Sequence, residues 1–312
     1  MDRMVTDIPN LFWRVAAAHN GKYTGDAEDK AGLALHSSLI TLNKYYKAIQ
    51  PEQLAVVFEG SRNWRKTYTS SERCVSKLAY KGNRIKDPAM EHLITVLNHF
   101  EDLVRNHTSI VCLQHDELEG DDLIAGYCQM FPDDKITILS GDKDFTQLLK
   151  NPNVTLLNPD KGVPRTCDDP EFFMFEKCIR GDVGDNVRSA YPNVRKTRLE
   201  KAFNDPYEFT QLMNETWTKF NPKIDEEETF VVKDLFEENR ILMDLECQPL
   251  HIRTKIAKTI EDAVANHGNF NLFQFNRFLG KHDLKSIATN PDTFVKMFSC
   301  TQVNKPRGII EF

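Results

Sequence analysis

KITILSGDKDFTQLL, residues 135–149, reads as a buried strand that breaks at a glycine and runs into a helix. The run Ile136–Leu139 is apolar and β-branched enough for a strand covered on both faces. Gly141 permits a tight turn, and Asp142 and Asp144, two residues apart, can aim at one centre at the strand's carboxyl end. Taken alone, the same residues equally describe an Asx turn with Asp144 capping the helix.

Working outward, short apolar runs recur at 4–8 (MVTDI), 54–60 (LAVVFEG), 109–115 (SIVCLQH) and 154–158 (VTLLN). Between them lie stretches with helical spacing: from about Asn10, over 28–49 (Leu33, Leu35, Leu39, Leu42, Tyr46), and over 118–131, closed by Pro132. Alternating strands and helices predict an α/β fold with a twisted, mostly parallel sheet and helices on both faces. Beyond about residue 168 strand signals vanish, and 170–300 reads as helical. The expected division is a core over 1–165 and a helical part over 166–312. Ligands of such sheets bind beyond the carboxyl ends of the strands.

Nine carboxylates gather in five clusters, mostly just after these strands: Asp7; Glu59; Glu119, Asp121 and Asp122; Asp142 and Asp144; Asp182 and Asp185. Carboxylates repel, so their convergence calls for a neutralising cation. Oxygen-only donors favour Mg²⁺ or Mn²⁺ over zinc. Two such ions are the usual machinery for in-line attack on a phosphodiester. The nine histidines show no HxH or HExxH spacing, and the seven cysteines form no CxxC pair, which points to reduced thiols in a cytoplasm. No apolar run approaches the ~20 residues that cross a bilayer.

Net charge is −6, from 40 basic and 46 acidic residues. Its distribution is uneven. Residues 61–85 hold Arg62, Arg65, Lys66, Arg73, Lys77, Lys81 and Arg84 against Glu72 alone, and 188–201 hold Arg188, Arg195, Lys196, Arg198 and Lys201 against Glu200. An isolated charge run is more often a solvated face. Two basic runs flanking a carboxylate centre suit a polyanion. Phe270, Phe273, Phe275 and Phe278, with Trp217, read as core rather than as base-stacking residues.

Three motifs in this order are specific: Glu119-Gly-Asp121-Asp122; Ser140-Gly-Asp-Lys-Asp144-Phe-Thr-Gln147-Leu; and Gly181-Asp-Val-Gly-Asp185-Asn186. With Asp7 in VTDIPNLFWR, Trp64-Arg65-Lys66 and Tyr80-Lys81-Gly-Asn83-Arg84, they resemble the 5′ nucleases. That family comprises flap endonucleases, the 5′-nuclease domain of bacterial DNA polymerase I and phage 5′–3′ exonucleases. The resemblance implies a PIN-like, Rossmann-like core with a helical arch or clamp over 62–108, and a duplex-binding helical motif over 180–206. It implies two Mg²⁺ (or Mn²⁺) ions. Asp7, Asp121, Asp122 and Asp142 would serve the first, and Asp144, Asp182 and Asp185 the second, with Glu59 and Glu119 beside them. It assigns Lys81 and Arg84 to the scissile phosphate. Arg62, Arg65, Lys66, Lys77, Arg195, Lys196, Thr197 and Arg198 would grip nucleic acid. The implied activity is 5′–3′ exonuclease and flap endonuclease action on DNA and RNA–DNA hybrids with a free 5′ end, as in primer removal by a monomer in the cytoplasm, that of the host if phage-encoded. A single-strand-binding protein and a sliding clamp are the partners such a role suggests, although Gln302 before the apolar tail has poor spacing for a clamp peptide.

Three departures stand out. Glu59 replaces the family's aspartate. Residues 187–203 (VRSAYPNVRKTRLEKAF) lack the glycines of the family's K⁺ and duplex site, so a K⁺ at the 186–197 turn would rest on what remains there. Gly120 replaces an alanine. Two alternatives stay open: a PIN-type endoribonuclease, disfavoured by the basic 61–108 segment and the helical C-terminal part, and a DNA-binding protein with a degraded site, favoured only by Glu59 and the missing glycines.

Overall fold

Every residue of the strand runs Met4–Asp7, Leu54–Val57 and Ile136–Leu139 is buried, so the sheet they form has no solvent face. In the computed structural model, which describes residues 1–18, 27–84, 89–221 and 225–300, this sheet has five parallel strands. They are β1 (Asp2–Asp7), β2 (Gln53–Val57), β3 (Val111–Leu113), β4 (Lys135–Leu139) and β5 (Val154–Leu157), in spatial order β3-β2-β1-β4-β5. All five predicted strands are present; β1 starts two residues earlier than its apolar run, and β2, β3 and β5 are shorter than theirs. β1 is central, pairing Asp7 with Val57 on one side and Thr6 with Leu139 on the other. The chain leaves β1 toward β2 and β3, then crosses back to β4 and β5. The loops after β1 and β4 therefore diverge and open a crevice at the sheet's carboxyl edge.

Helices α1 (Ile8–Ala18), α2 (Ala27–Ile49), α3 (Trp64–Thr69), α4 (Ala89–His107) and α5 (Gly120–Met130) are threaded between the first four strands. A 3₁₀ helix, Asp144–Lys150, links β4 to β5. The remaining helices are α6 (Pro170–Arg180), α7 (Lys196–Asn204), α8 (Pro206–Met213), α9 (Val232–Met243), α10 (Leu250–Ala265), α11 (Leu272–Lys281), α12 (Lys285–Ala288) and α13 (Asp292–Phe298). Asp169 and Asp205 cap α6 and α8, each ahead of a proline whose missing N–H costs nothing in a first turn. One face of the sheet packs on α2 and α4, closed by Phe275, Phe278 and Phe298 from α11 and α13. The other packs on α5 and on Ile252, Ile256 and Ile260 of α10. A third core joins α6 to α9. The phenylalanine run is mostly core, as expected, although Phe273 is 73% exposed. Among the described residues, no helix is long and apolar enough to cross a membrane.

The expectation of no strands beyond residue 168 is corrected. β6 (Thr216–Asn221) and β7 (Glu226–Val231) form an antiparallel hairpin. Trp217 faces Phe230 across it, ring centroids 4.9 Å apart, and its indole N–H donates to the Ala190 carbonyl at 2.8 Å. That cross-strand aromatic pair outweighs the poor strand propensity of Glu226–Glu228. The 62–108 stretch expected as an arch is mostly packed: Trp64 and Arg65 are buried and α4 lies on α2. Its middle, up to Arg84, borders the crevice, and 85–88 lie outside the described residues, as does the tail with Gln302.

Candidate active site

The crevice at the carboxyl edge is a cleft of about 460 Å³. Eight carboxylates line it: Asp7 ending β1; Glu59 after β2; Glu119 and Asp121 at the start of α5; Asp142 after β4; Asp144 opening the 3₁₀ helix; Asp182 and Asp185 after α6. Lys66, Lys81 and Arg84 face the same space.

Local backbone chemistry aims each carboxylate. Asp7 Oδ1 accepts the Asn10 N–H at 3.0 Å and Oδ2 the Ser140 hydroxyl at 3.2 Å, tying β1 to the β4 turn across the switch in strand order. The Asn10 side chain in turn accepts the Gly141 N–H at 3.0 Å. Asp142 Oδ1 accepts the Asp144 N–H at 2.8 Å, the Asx turn read from the sequence, with both carboxylates still in the cleft. Gly181 has φ 69°, and a Cβ there would lie 2.5 Å from the Val187 carbonyl oxygen. Only glycine fits, and the reversal lets Asp182 and Val187 exchange backbone hydrogen bonds at 3.0 and 2.7 Å, turning Asp182 and Asp185 back to the sheet edge.

Part of the negative charge is answered within the chain. Lys81 Nζ donates to Glu119, and Arg84 pairs with Asp185 at 2.7 Å. Tyr80 Oη lies 3.1 Å from Glu119 and 2.8 Å from Asp185. Lys81 holds a left-handed φ of 54°, and its N–H donates to the Asp185 carbonyl at 2.8 Å. Lys177, on α6, donates to Asp144 and stands 3.4 Å from Asp182.

The rest is unanswered. Burial, with Asp142 nearby, raises the Asp7 carboxyl to about 6 despite its two hydrogen bonds. Desolvation and the surrounding carboxylates raise Asp121 well above its ordinary value. Desolvation by the surrounding protein and the charge of Glu119 raise Glu59 against the pull of Lys81, although part of its side chain is open to solvent. Asp144 is raised by burial, with Lys177 opposing. Among the described residues, no sulfur or imidazole lines the cleft, so its chemistry fits a hard divalent cation. Among the described residues, no three of the carboxylates already converge on one ion-sized point.

The Asp7 shift gives a signed prediction. Its folded value, about 6, lies above the ordinary 3.8, so metal-free protein is stabilised as pH falls through that window and destabilised as it rises. In EDTA, Asp7→Asn should therefore raise stability by about 3 kcal/mol at pH 7.5 and by about half that at pH 5. Thermal melts at the two pH values measure this, and an equal gain at both would contradict it.

Residues 3–176 match the family model described as 5′–3′ exonuclease, N-terminal resolvase-like domain. The chain belongs to this 5′–3′ exonuclease family. Ribonuclease H of Enterobacteria phage T4 is 29% identical over 174 residues, 50% of this chain and 52% of that protein, so the chain spans about half the length of the curated relative it matches. A bacteriophage T5 protein co-crystallized with metal ions superposes with TM-score 0.56 at 17% identity, covering 92% of this chain and 100% of that one. The bacteriophage T5 flap endonuclease in a pseudo-enzyme–product complex with DNA and metal ions does so with TM-score 0.56 at 17% identity, over 93% and 100%. These likenesses show the fold.

Within this exonuclease-family fold, two residues expected at the site stand elsewhere. Asp122 does not line the cleft. It is fully buried behind it, accepting from Arg65 at 2.7 and 2.9 Å, the Trp64 indole at 2.9 Å and Gln248 at 3.3 Å. Burial pushes its carboxyl up, but Arg65 and these donors outweigh that and hold it below the usual range. Arg65, expected to grip nucleic acid, is 1% exposed, and also donates to Glu119 at 2.8 Å and the Leu242 carbonyl at 2.7 Å. It has no surface to offer a phosphate.

Of the other expected nucleic-acid contacts, Arg62 is exposed beside Asp116 at 3.5 Å and Lys77 beside Glu228 at 3.6 Å. Arg195, Lys196 and Thr197 are exposed at the start of α7, while Arg198 pairs with Glu215. Lys177 and Tyr80 were missed as site residues. Lys177 sits one helical turn before Gly181, a spacing that could have flagged it.

Proposed function

We propose that this chain is a divalent-metal-dependent nuclease that hydrolyses phosphodiesters from a 5′ end, as a 5′–3′ exonuclease and flap endonuclease on DNA and RNA–DNA hybrids, in the removal of primers and 5′ flaps. The observation that carries it is the convergence of eight carboxylates and three basic side chains on one cleft at the switch in strand order. The names of the relatives support the reading: a ribonuclease H, and a flap endonuclease complexed with DNA and metal ions.

Asp7, Glu59, Asp121 and Asp142 would hold one Mg²⁺ or Mn²⁺, with Glu119 beside them; Asp144, Asp182 and Asp185 would hold the other. When bound, such ions supply an acidified water and neutralise charge developing at the leaving oxygen. The chain's own residues do the rest. Lys81 and Arg84, held by Glu119 and Asp185 in the free protein, turn to the scissile phosphate and offset its charge. Lys66 at the rim, with Arg195 and Lys196 on α7, grips the backbone without reading bases. Glu59 reaches the same cleft as the others, its Oε2 accepting the Gly120 N–H at 3.3 Å, so its extra methylene does not remove a donor. This weakens the degraded-site alternative.

Lys81→Ala should lower kcat by about 10²–10³-fold and change substrate affinity by only a few fold, because the contact strengthens as charge develops. Single-turnover cleavage of a 5′-flap duplex beside binding in Ca²⁺ separates the two effects. The same assay tests the function: a 5′ flap and an RNA–DNA hybrid should be cut, and closed circular single-stranded RNA should not. Cleavage of the circle with the flap untouched would replace this reading with an endoribonuclease.

A further inference from the structure

On the outer face of the fold, α2, α4 and the corner between α11 and α12 enclose a second cleft of about 610 Å³, within the range of small-ligand sites. It shares no lining residue with the acidic cleft. Its character is the reverse. Four of the nine histidines line it: His36 from α2, His92 and His99 from α4, and His282 just after α11. Lys281 and Lys285 join them. Among the described residues, the single carboxylate in the lining, Asp283, already pairs with Lys285 at 3.1 Å.

Two imidazole nitrogens here have buried, unanswered hydrogen-bonding capacity. Lys281 Nζ stands 2.9 Å from His99 Nε2. An ammonium only donates, so the neutral His99 ring carries its proton on Nδ1. That Nδ1 is buried without a partner among the described residues, and so is His282 Nε2, on a ring whose centroid lies 5.3 Å from that of His99. Buried polar atoms left unpaired are uncommon and ask for an explanation. Burial, Lys281 and His92 lower His99, with Asp102 opposing, and burial, His99, Lys281 and His92 bring His282 to about 4. Both rings thus feel a positive field, opposed at His99 by Asp102 and at Lys285 by Asp283.

A metal ion fits poorly. It would sit against the Lys281 ammonium, and no three ligating side chains converge here among the described residues. An apolar ligand would leave the Lys281 charge and the orphaned nitrogens unanswered. An anion answers all of these groups at once. We propose that this cleft binds a phosphate-type anion, either free phosphate or a phosphate of a nucleic-acid strand, with Lys281, His99 and His282 as its donors and His92 and Lys285 shaping the field. The inference is independent of the chemistry assigned to the acidic cleft.

The test is NMR of the imidazole nitrogens in full-length protein labelled with ¹⁵N-histidine, in EDTA, titrated with inorganic phosphate and with a 5′-phosphorylated thymidine dinucleotide. The His99 and His282 resonances should move and saturate. Lys281→Gln, a change at an exposed side chain, should weaken binding at least about tenfold by removing a charge-assisted donor. Asp142→Asn should leave it unaltered. Tighter binding of the dinucleotide would assign the cleft to a strand phosphate, and tighter binding of inorganic phosphate to the free anion. Absence of saturation with both anions, shifts spread evenly over all nine histidines, or unchanged binding by Lys281→Gln would overturn the proposal.

Discussion

Asp142→Asn should lower phosphodiester cleavage by about a thousandfold or more, equivalent to roughly 4 kcal/mol of transition-state stabilisation, with the fold intact. Asp142 follows β4 on one side of the crevice, and Asp7 ends β1 on the other. Among the carboxylates its charge is felt by both Asp7 and Asp121, which places it at the middle of the cluster. Asparagine keeps the oxygen that accepts the Asp144 N–H at 2.8 Å, so the turn survives. What disappears is one negative charge from the set that would hold the cation. The protein in EDTA should melt no lower than the unmutated chain, because one repelling carboxylate has gone. Cleavage rates and thermal melts of the same preparation check both halves, and a rate within tenfold of wild type would remove Asp142 from the proposed centre.

Arg65→Ala acts on the fold rather than on the chemistry. Arg65 carries a bidentate pair with Asp122, a bond to Glu119 and another to the Leu242 carbonyl, all buried. Deleting it leaves Asp122 ionised, with the Trp64 indole and Gln248 as its remaining side-chain donors. Breaking a buried pair by removing one partner costs about 3–5 kcal/mol, because the other charge stays behind. Arg65 also joins α9, through Leu242, to the start of α5, so the loss should loosen the wall that carries Glu119 and Asp121. Urea unfolding of Arg65→Ala should show this loss, and the double variant Arg65→Ala, Asp122→Ala should recover part of it. A surface residue, as first read from the basic run at 61–85, would cost less than 1 kcal/mol.

How far the sequence was legible follows from which physical signal each element carries. The strands were readable because a parallel sheet buried on both faces demands continuous apolar runs, and the carboxylates after them mark its carboxyl edge. The β6–β7 hairpin was not, because half of β7 is glutamate and the hairpin's stability comes from Trp217 meeting Phe230 across strands, a pairing composition does not reveal. Asp121 and Asp122 are adjacent acids that part company at the site. Successive residues on a helix point about 100° apart, so one faces the cleft and its neighbour the core. Only the position of Arg65 decides which is which. Lys177 stood within the GDVGDN neighbourhood, yet a lysine on a helix reads as solvated until the helix is placed against Asp144.

The decisive experiment is cleavage of a 5′-labelled flap duplex and a matched RNA–DNA hybrid with Mg²⁺, Mn²⁺ or EDTA. Short 5′ products released in Mg²⁺ or Mn²⁺ and absent in EDTA are the predicted result. Tight binding of the same substrates with no product in either metal would contradict a working two-metal nuclease, and would turn attention to Glu59.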